Sequence, residues 1–276
     1  MGKTHNIIKN LVCSTMAFSQ DNIDRSPKRG MAEYGRYPLS KYTSLPSGKT
    51  SSISWFYNWQ DRPRHYELSP LEYVPMVWGE AHLESIDQQT WKPEDHTFSI
   101  LGFNEPELPI QANMTPQRAV ELWPKIEAMA NKVRPRLQIG SPAICCDLDW
   151  MTTFLELCER RNCVVDFLAF HIYAETPCEF ANRLNEIQQR FKRWPIWITE
   201  FGYGYTTNPN NDGAALTLLR EATRLLDGTS QVKRYAWFGL CDGPGYEVTN
   251  DIGRACRDTD TRTQEFTDVG MAYYFP

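Results

Sequence analysis

The chain has 276 residues, a formal charge of -5 and 41% hydrophobic residues, which suits a single α/β barrel of about 250 residues. The mild acidity, with no Lys/Arg block, argues against a nucleic-acid or anionic-membrane partner. No apolar run reaches the roughly 20 residues of a membrane-spanning helix. Nine Trp, 13 Tyr and 13 Phe serve two ends, core filling and a cleft floored with rings that stack on sugars.

Residues 1–27 are polar and unpatterned and read as a poorly ordered N-terminal extension. Lys9 and Asn10 interrupt the apolar stretch a signal peptide would need. Asn6 stands where a myristoylation signal places Ser or Thr. From residue 28 onward, eight apolar, β-branched or aromatic runs are bounded by turn residues: 28–35, 53–59, 73–79, 98–105, 137–144, 165–174, 195–202 and 232–240. The first is short. Most lack strict alternation, as strands buried on both faces of a parallel sheet do.

Helical patterns lie between them. Thr115 reads as an N-cap with Pro116 at the first helical position. The stripe Ala119, Leu122, Ile126, Met129, Ala130 and Val133 follows, with Pro124 expected to kink it. Further helices fit 148–160, 179–193 and 212–226; in the last, Ala215, Leu218, Leu219, Ala222, Leu225 and Leu226 form one apolar face. Alternating strands and helices predict a (β/α)8 TIM barrel over residues 28–276. No glycine-rich nucleotide loop follows any strand. There is no CxxC pair among the eight cysteines, the five His are scattered, and Asp242, Asn250 and Asp251 match no calcium loop. No metal and no cofactor are therefore expected.

Two strands end in the same way. "ILGFNEPELP" stops on Asn104 and Glu105 ahead of Pro106, and "PIWITEFGYG" stops on Glu200 ahead of Gly202. They are strands four and seven of the barrel, and barrel active sites sit at the C-terminal strand ends. Two carboxyls facing each other across the mouth are the minimal kit for glycoside hydrolysis. A lone Glu there would read as a solvated surface residue. Glu107 lies beyond the strand tip and reads as structural or rim. His171 and Tyr173 have the two-residue spacing of one strand face, beside the strand of Glu200. Tyr57 and Trp59 share one face and Asn58 takes the other. Trp78 and Trp237 end their strands; stacking on a glucosyl ring and core packing both stand open for them.

With these segments in place, the chain resembles glycoside hydrolase family 128, the fungal and bacterial β-1,3-glucanases of clan A. The matching segments are "KRGMA", "SWFYNW", "VPMVWG", "LGFNEPE", "IGSPAI", "VDFLAFHIYA", "WITEFG" and "TDVGMAYYF", in order over residues 28–276. The resemblance implies a retaining, endo-acting β-1,3-glucan hydrolase with Glu105 as general acid/base and Glu200 as nucleophile. Glu105 is then expected to hold its proton, and Glu200 to be kept ionised by donors such as the Tyr173 hydroxyl. Asn104 is the amide expected on the sugar 2-hydroxyl, and His171, Tyr173, Trp237, Trp78, Tyr57 and Asn58 complete the expected substrate-binding set. It also implies a disulfide between Cys158 and Cys163; a second is expected between Cys241 and Cys256. A β-glucan polysaccharide or oligosaccharide is the expected partner, the protein is expected to be a monomer, and the family is mostly secreted or wall-associated. Two other readings use the same scaffold: a β-glucan-binding protein that has lost catalysis, and a transglycosidase.

Overall fold

The computed structural model describes residues 28–32, 39–63, 71–204, 212–238, 259–260 and 265–276; the proposed N-terminal extension and the Cys241–Cys256 pair lie outside them. Eight parallel strands are formed: β1 (Arg29–Ala32), β2 (Trp55–Tyr57), β3 (Glu72–Tyr73), β4 (Ser99–Ile100), β5 (Gln138–Ile144), β6 (Phe167–Ala174), β7 (Ile196–Tyr203) and β8 (Val232–Phe238). Their order is β3-β2-β1-β8-β7-β6-β5-β4. The two ends of this sheet meet. Met76 bridges Leu101 in parallel; Leu101 N–H donates to the Pro75 carbonyl at 2.8 Å, and Val77 N–H to the Leu101 carbonyl at 3.1 Å. The ring therefore closes as the (β/α)8 barrel expected from the alternating pattern.

Around it lie α1 (Leu39–Thr43), α2 (Glu80–Ser85), α3 (Pro116–Ala130), α4 (Leu148–Arg161), α5 (Pro177–Arg190), α6 (Asp212–Gly228) and α7 (Asp268–Tyr274). A short antiparallel hairpin, β9 (Thr259–Asp260) and β10 (Glu265–Phe266), precedes α7. The caps follow local chemistry. Thr115 accepts the Arg118 N–H at the start of α3, and that helix runs on through Pro124. Thr176 and Glu179 form a reciprocal capping box on α5. None of the described helices is long and apolar enough to cross a membrane.

The barrel interior is aromatic. Phe167 and Trp197 stack with centroids 3.9 Å apart, and Trp55 lies 5.4 Å from Trp197. Room for them is made by glycines: a Cβ on Gly30 would stand 2.1 Å from the Trp55 indole, and one on Gly140 2.5 Å from the Phe167 ring. The N-terminal end is closed by an Arg234–Glu72 ion pair, with the guanidinium 4.5 Å over Trp197. Such a filled interior leaves chemistry to the C-terminal face.

The Cys158–Cys163 disulfide is not formed. Both are free thiols, set where the left-handed Asn162 closes α4 and the Cys158 carbonyl accepts the Cys163 N–H. Cys178, for which no pairing was expected, is disulfide-bonded.

Candidate active site

Strict alternation along β7 would not place Glu200 in the barrel. Trp197 packs in the interior, so Thr199 and Phe201 should follow it inward. The register against β6 skips here: Phe170 pairs with Ile198, and His171 with Glu200. Thr199 is the extra residue of a β-bulge, and the bulge turns Glu200 into the barrel mouth and Phe201 out onto Phe180 and Trp237. A similar change of phase occurs in the run that continues β4. Leu101 packs inside and Phe103 packs outside on Trp123. Between them, a Cβ on Gly102 would meet the backbone of Ser141 and Pro142 at 3.0 Å. Glu105 then takes φ 40° with its N–H on the Ala143 carbonyl at 2.9 Å. Trp59 has φ 58°. Left-handed backbone at two bulky residues costs free energy and is held by the surrounding structure.

These devices bring three ionisable groups together. His171 Nδ1 lies 2.7 Å from Glu105 Oε1 and 3.4 Å from Glu200 Oε2. Glu200 Oε1 accepts the Trp59 indole N–H at 2.8 Å, and the Tyr57 hydroxyl shares its proton between this oxygen at 3.3 Å and the Thr199 carbonyl at 3.0 Å. Glu200 Oε2 accepts the Tyr173 hydroxyl at 2.5 Å. One ligand atom from each of Glu105, His171 and Glu200 can be chosen so that all lie within 4.8 Å of one another. Glu105 is 6% exposed, Glu200 5% and His171 1%.

Burial by itself lowers the His171 pKa, but the Glu200 and Glu105 carboxylates outweigh it and raise it to about 9. At neutral pH His171 is thus an imidazolium. Burial also raises the Glu200 carboxyl, against the pull of His171, and Glu105 adds to the rise; the Tyr173 and Trp59 hydrogen bonds oppose it. The Tyr173 hydroxyl expected to help keep Glu200 ionised does donate to it, but burial outweighs the donors. The same trio could be drawn as cation ligands. A cationic imidazole offers no lone pair, however, and both Glu200 oxygens already accept hydrogen bonds, so the group fits proton traffic better than a metal.

Residues 36–273 match the family described as the glycosyl hydrolase catalytic core. The chain belongs to this family. Among solved structures, it is similar to a family 128 (subgroup II) endo-β-1,3-glucanase from Sorangium cellulosum, with 28% identity and TM-score 0.70, covering 89% of this chain and 97% of that one. A family 128 (subgroup III) curdlan-specific exo-β-1,3-glucanase from Blastomyces gilchristii, in complex with glucose, is also 28% identical, with TM-score 0.64 and the same coverages of 89% and 97%. These likenesses place this glycosyl hydrolase in family 128. Among curated proteins it is 29% identical over 209 residues to Alkali-sensitive linkage protein 1 of Schizosaccharomyces pombe, matching 72% of this chain and 37% of that protein. The chain thus spans well under two thirds of that relative's length.

The remaining expected residues of the glycosyl hydrolase divide. Tyr57 and Tyr173 reach Glu200 through their hydroxyls, as described. Asn104 is buried beside Glu105, its Nδ2 on Gln111 Oε1 at 3.2 Å and its Oδ1 without a partner among the described residues. Trp78 is half-buried at the mouth and packs against the interior cluster. His171 is 1% exposed and lies between the two carboxylates.

Two residues are corrected. Trp237 is fully buried on the outer side of β8, against Phe201 and Tyr273. Its neighbour Phe238 faces the mouth, edge-on to Trp59 and Tyr173. Asn58 is turned from the carboxylates and engaged by the Tyr73 hydroxyl at 2.7 Å and by the Arg62 carbonyl. Alternation along β2 explains Asn58, because Tyr57 and Trp59 take the inner face. Phe238, Gln111 and the Thr199 bulge were missed. Only Phe238 had a signal, as the alternate phase of β8. Glu107 accepts the N–H groups of Cys145 and Cys146 and ties the ends of the fourth and fifth barrel segments together.

Proposed function

We propose that this chain hydrolyses β-1,3-glucan from internal positions with retention of anomeric configuration. Glu200 is the nucleophile and Glu105 the general acid/base. One observation carries the reading: oxygens of the two buried carboxyls lie within 4.8 Å, bridged by His171. So close an approach of single oxygens supports the close-set pair of retaining glycosidases, whose carboxyl groups stand about 5–5.5 Å apart. In the first step Glu200 attacks the anomeric carbon, the His171 imidazolium gives its Nδ1 proton to Glu105 across 2.7 Å, and Glu105 passes that proton to the leaving oxygen as the glycosidic bond breaks. Esterification removes the Glu200 charge, and Glu105 then takes the proton of the incoming water. The Tyr57, Trp59 and Tyr173 donors orient the Glu200 oxygens for attack. The mouth aromatics Trp59, Tyr173, Phe238 and Trp78 support a neutral sugar, and the family 128 glucanases above support the β-1,3 linkage.

The test uses an activated aryl β-glucoside with azide. Glu200→Ala is expected to give the α-glycosyl azide, with azide taking the nucleophile's place. Glu105→Ala is expected to give the β-azide from a slowly hydrolysed glycosyl-enzyme. The reverse pattern would swap the roles, and full activity in either variant would remove that residue. Turnover of cellulose or xylan with none of laminarin would overturn the substrate. Products longer than the donor would mark a transglycosidase.

A further inference from the structure

A second hydrogen-bonded chain runs behind the cleft wall, and none of the proposed chemistry uses it. It begins at Asp61, in the segment after β2, whose Oδ1 lies 3.1 Å from Nε2 of His82. His82 is the third residue of α2, and its Nδ1 accepts the Trp78 N–H at 3.1 Å. The Trp78 carbonyl accepts the Asn104 N–H at 2.8 Å. The tautomer is fixed from both sides: a backbone N–H can only donate, so Nδ1 holds the lone pair, and an ionised Asp61 can only accept, so Nε2 holds the proton. Burial pushes the Asp61 carboxyl up, but the His82 hydrogen bond, with help from the neighbouring Arg62, outweighs it and holds it below the usual range. The two side chains are 15% and 19% exposed, which shields the pair from water.

At the far end of this chain, Asn104 is constrained on every side but one. Its N–H is on Trp78, its carbonyl accepts the Ala112 N–H at 3.1 Å, and its Nδ2 donates to Gln111. Oδ1 is buried and has no partner among the described residues. An unmet buried acceptor is costly, and a hydroxyl that supplies the missing hydrogen bond removes that cost on binding.

We infer that Asp61 and His82 form a positioning dyad that fixes the backbone at Trp78 and, through it, presents Asn104 Oδ1 to a hydroxyl of the sugar. This inference rests on the glycosidase reading of the site. Neither dyad residue touches the substrate. Asp61 acts only through the His82 ring and His82 through one backbone bond, so a small displacement at residue 78 is transmitted to the residue beside Glu105, where about 1 Å of error can cost about a hundredfold in rate.

The test compares His82→Ala, His82→Asn and Asp61→Ala with the parent chain. Two quantities are read: kcat and KM on laminari-oligosaccharides, and the fluorine resonance of Trp78 in 5-fluorotryptophan-labelled protein, assigned with Trp78→Phe. His82→Ala is expected to lower kcat roughly tenfold or more and to broaden or shift the Trp78 resonance. His82→Asn places Oδ1 near the former Nδ1 and should recover both. Asp61→Ala frees the tautomer and should fall between. A helix cap alone would lower the unfolding temperature and leave kcat and the Trp78 resonance of the folded protein unchanged; that result overturns the dyad. If the parent chain hydrolyses no β-1,3-glucan, the proposed function falls. The Trp78 resonance then judges the dyad alone, and an unchanged resonance in His82→Ala rejects it.

Discussion

His171 sets the charge of the site. Its folded pKa of about 9 lies above the ordinary 6.5, so the native state binds more protons than the unfolded chain across that interval. The stability it contributes is complete below about pH 6.5 and is lost as pH rises toward about 9. Urea midpoints for the parent should therefore fall between pH 6.5 and 9, and His171→Asn should flatten that slope; equal slopes would place the imidazole outside the linkage. Glu200 works in the same direction. Its raised pKa, with the attraction of His171 already included, means that folding disfavours its charge. That cost accrues as pH rises above the ordinary carboxyl value. Glu200→Gln should thus abolish turnover and raise the urea midpoint at pH 7, the trade of stability for function expected of an active site. A lower midpoint would show that its three hydrogen bonds and its ion pair with His171 matter more to the fold than its desolvation.

Elements were far more legible in the sequence than the direction of their side chains. All eight strands coincide with the runs marked by composition, β3 starting one residue before its run and β7 ending one residue after, because turn residues bound them and βα alternation orders them. What alternation could not supply was phase. Thr199 carries no mark of a bulge, yet it decides that Glu200 rather than Thr199 faces the mouth. The same one-residue ambiguity put Trp237 in the cleft in place of Phe238. The two glutamates were legible because a carboxylate at the end of an apolar run needs a reason to be there. Asn162 closing α4 and the free Cys158–Cys163 pair depend on local backbone geometry that spacing does not reveal. Gly140 is an element-scale case with a direct test. A Cβ there would lie 2.5 Å from the Phe167 ring, on the strand paired with it. Gly140→Ala should destabilise the barrel by roughly 1–3 kcal/mol in denaturant unfolding, and Phe167→Leu in the same chain should recover part of the loss. Additive losses would mean that the glycine is needed for backbone freedom and not for the ring.

At the scale of the whole molecule, the barrel separates what holds it together from what it does. The C-terminal face carries strained backbone at Trp59 and Glu105 and buried charge at Glu105, His171 and Glu200. The N-terminal end carries the Arg234–Glu72 pair, whose guanidinium lies over Trp197 and Trp55 and whose carboxylate also accepts the Phe98 N–H. Breaking such a pair leaves a desolvated charge alone, whereas replacing both partners removes the problem. Glu72 is only 8% exposed on its side chain, so Arg234→Met should cost roughly 3 kcal/mol in denaturant unfolding. Glu72→Gln keeps an acceptor for Phe98 and removes the charge, so the double variant should be more stable than Arg234→Met alone. The double-mutant cycle isolates that coupling. Turnover per folded molecule should remain at the parent level in all three chains, because the packed rings of Trp55, Phe167 and Trp197 stand between this pair and the glutamates. A fall in kcat without unfolding would mean that the aromatic core transmits strain from one end of the barrel to the other. An equal loss in the single and double variants would show that Arg234 stabilises the fold by stacking on Trp197 rather than by its charge.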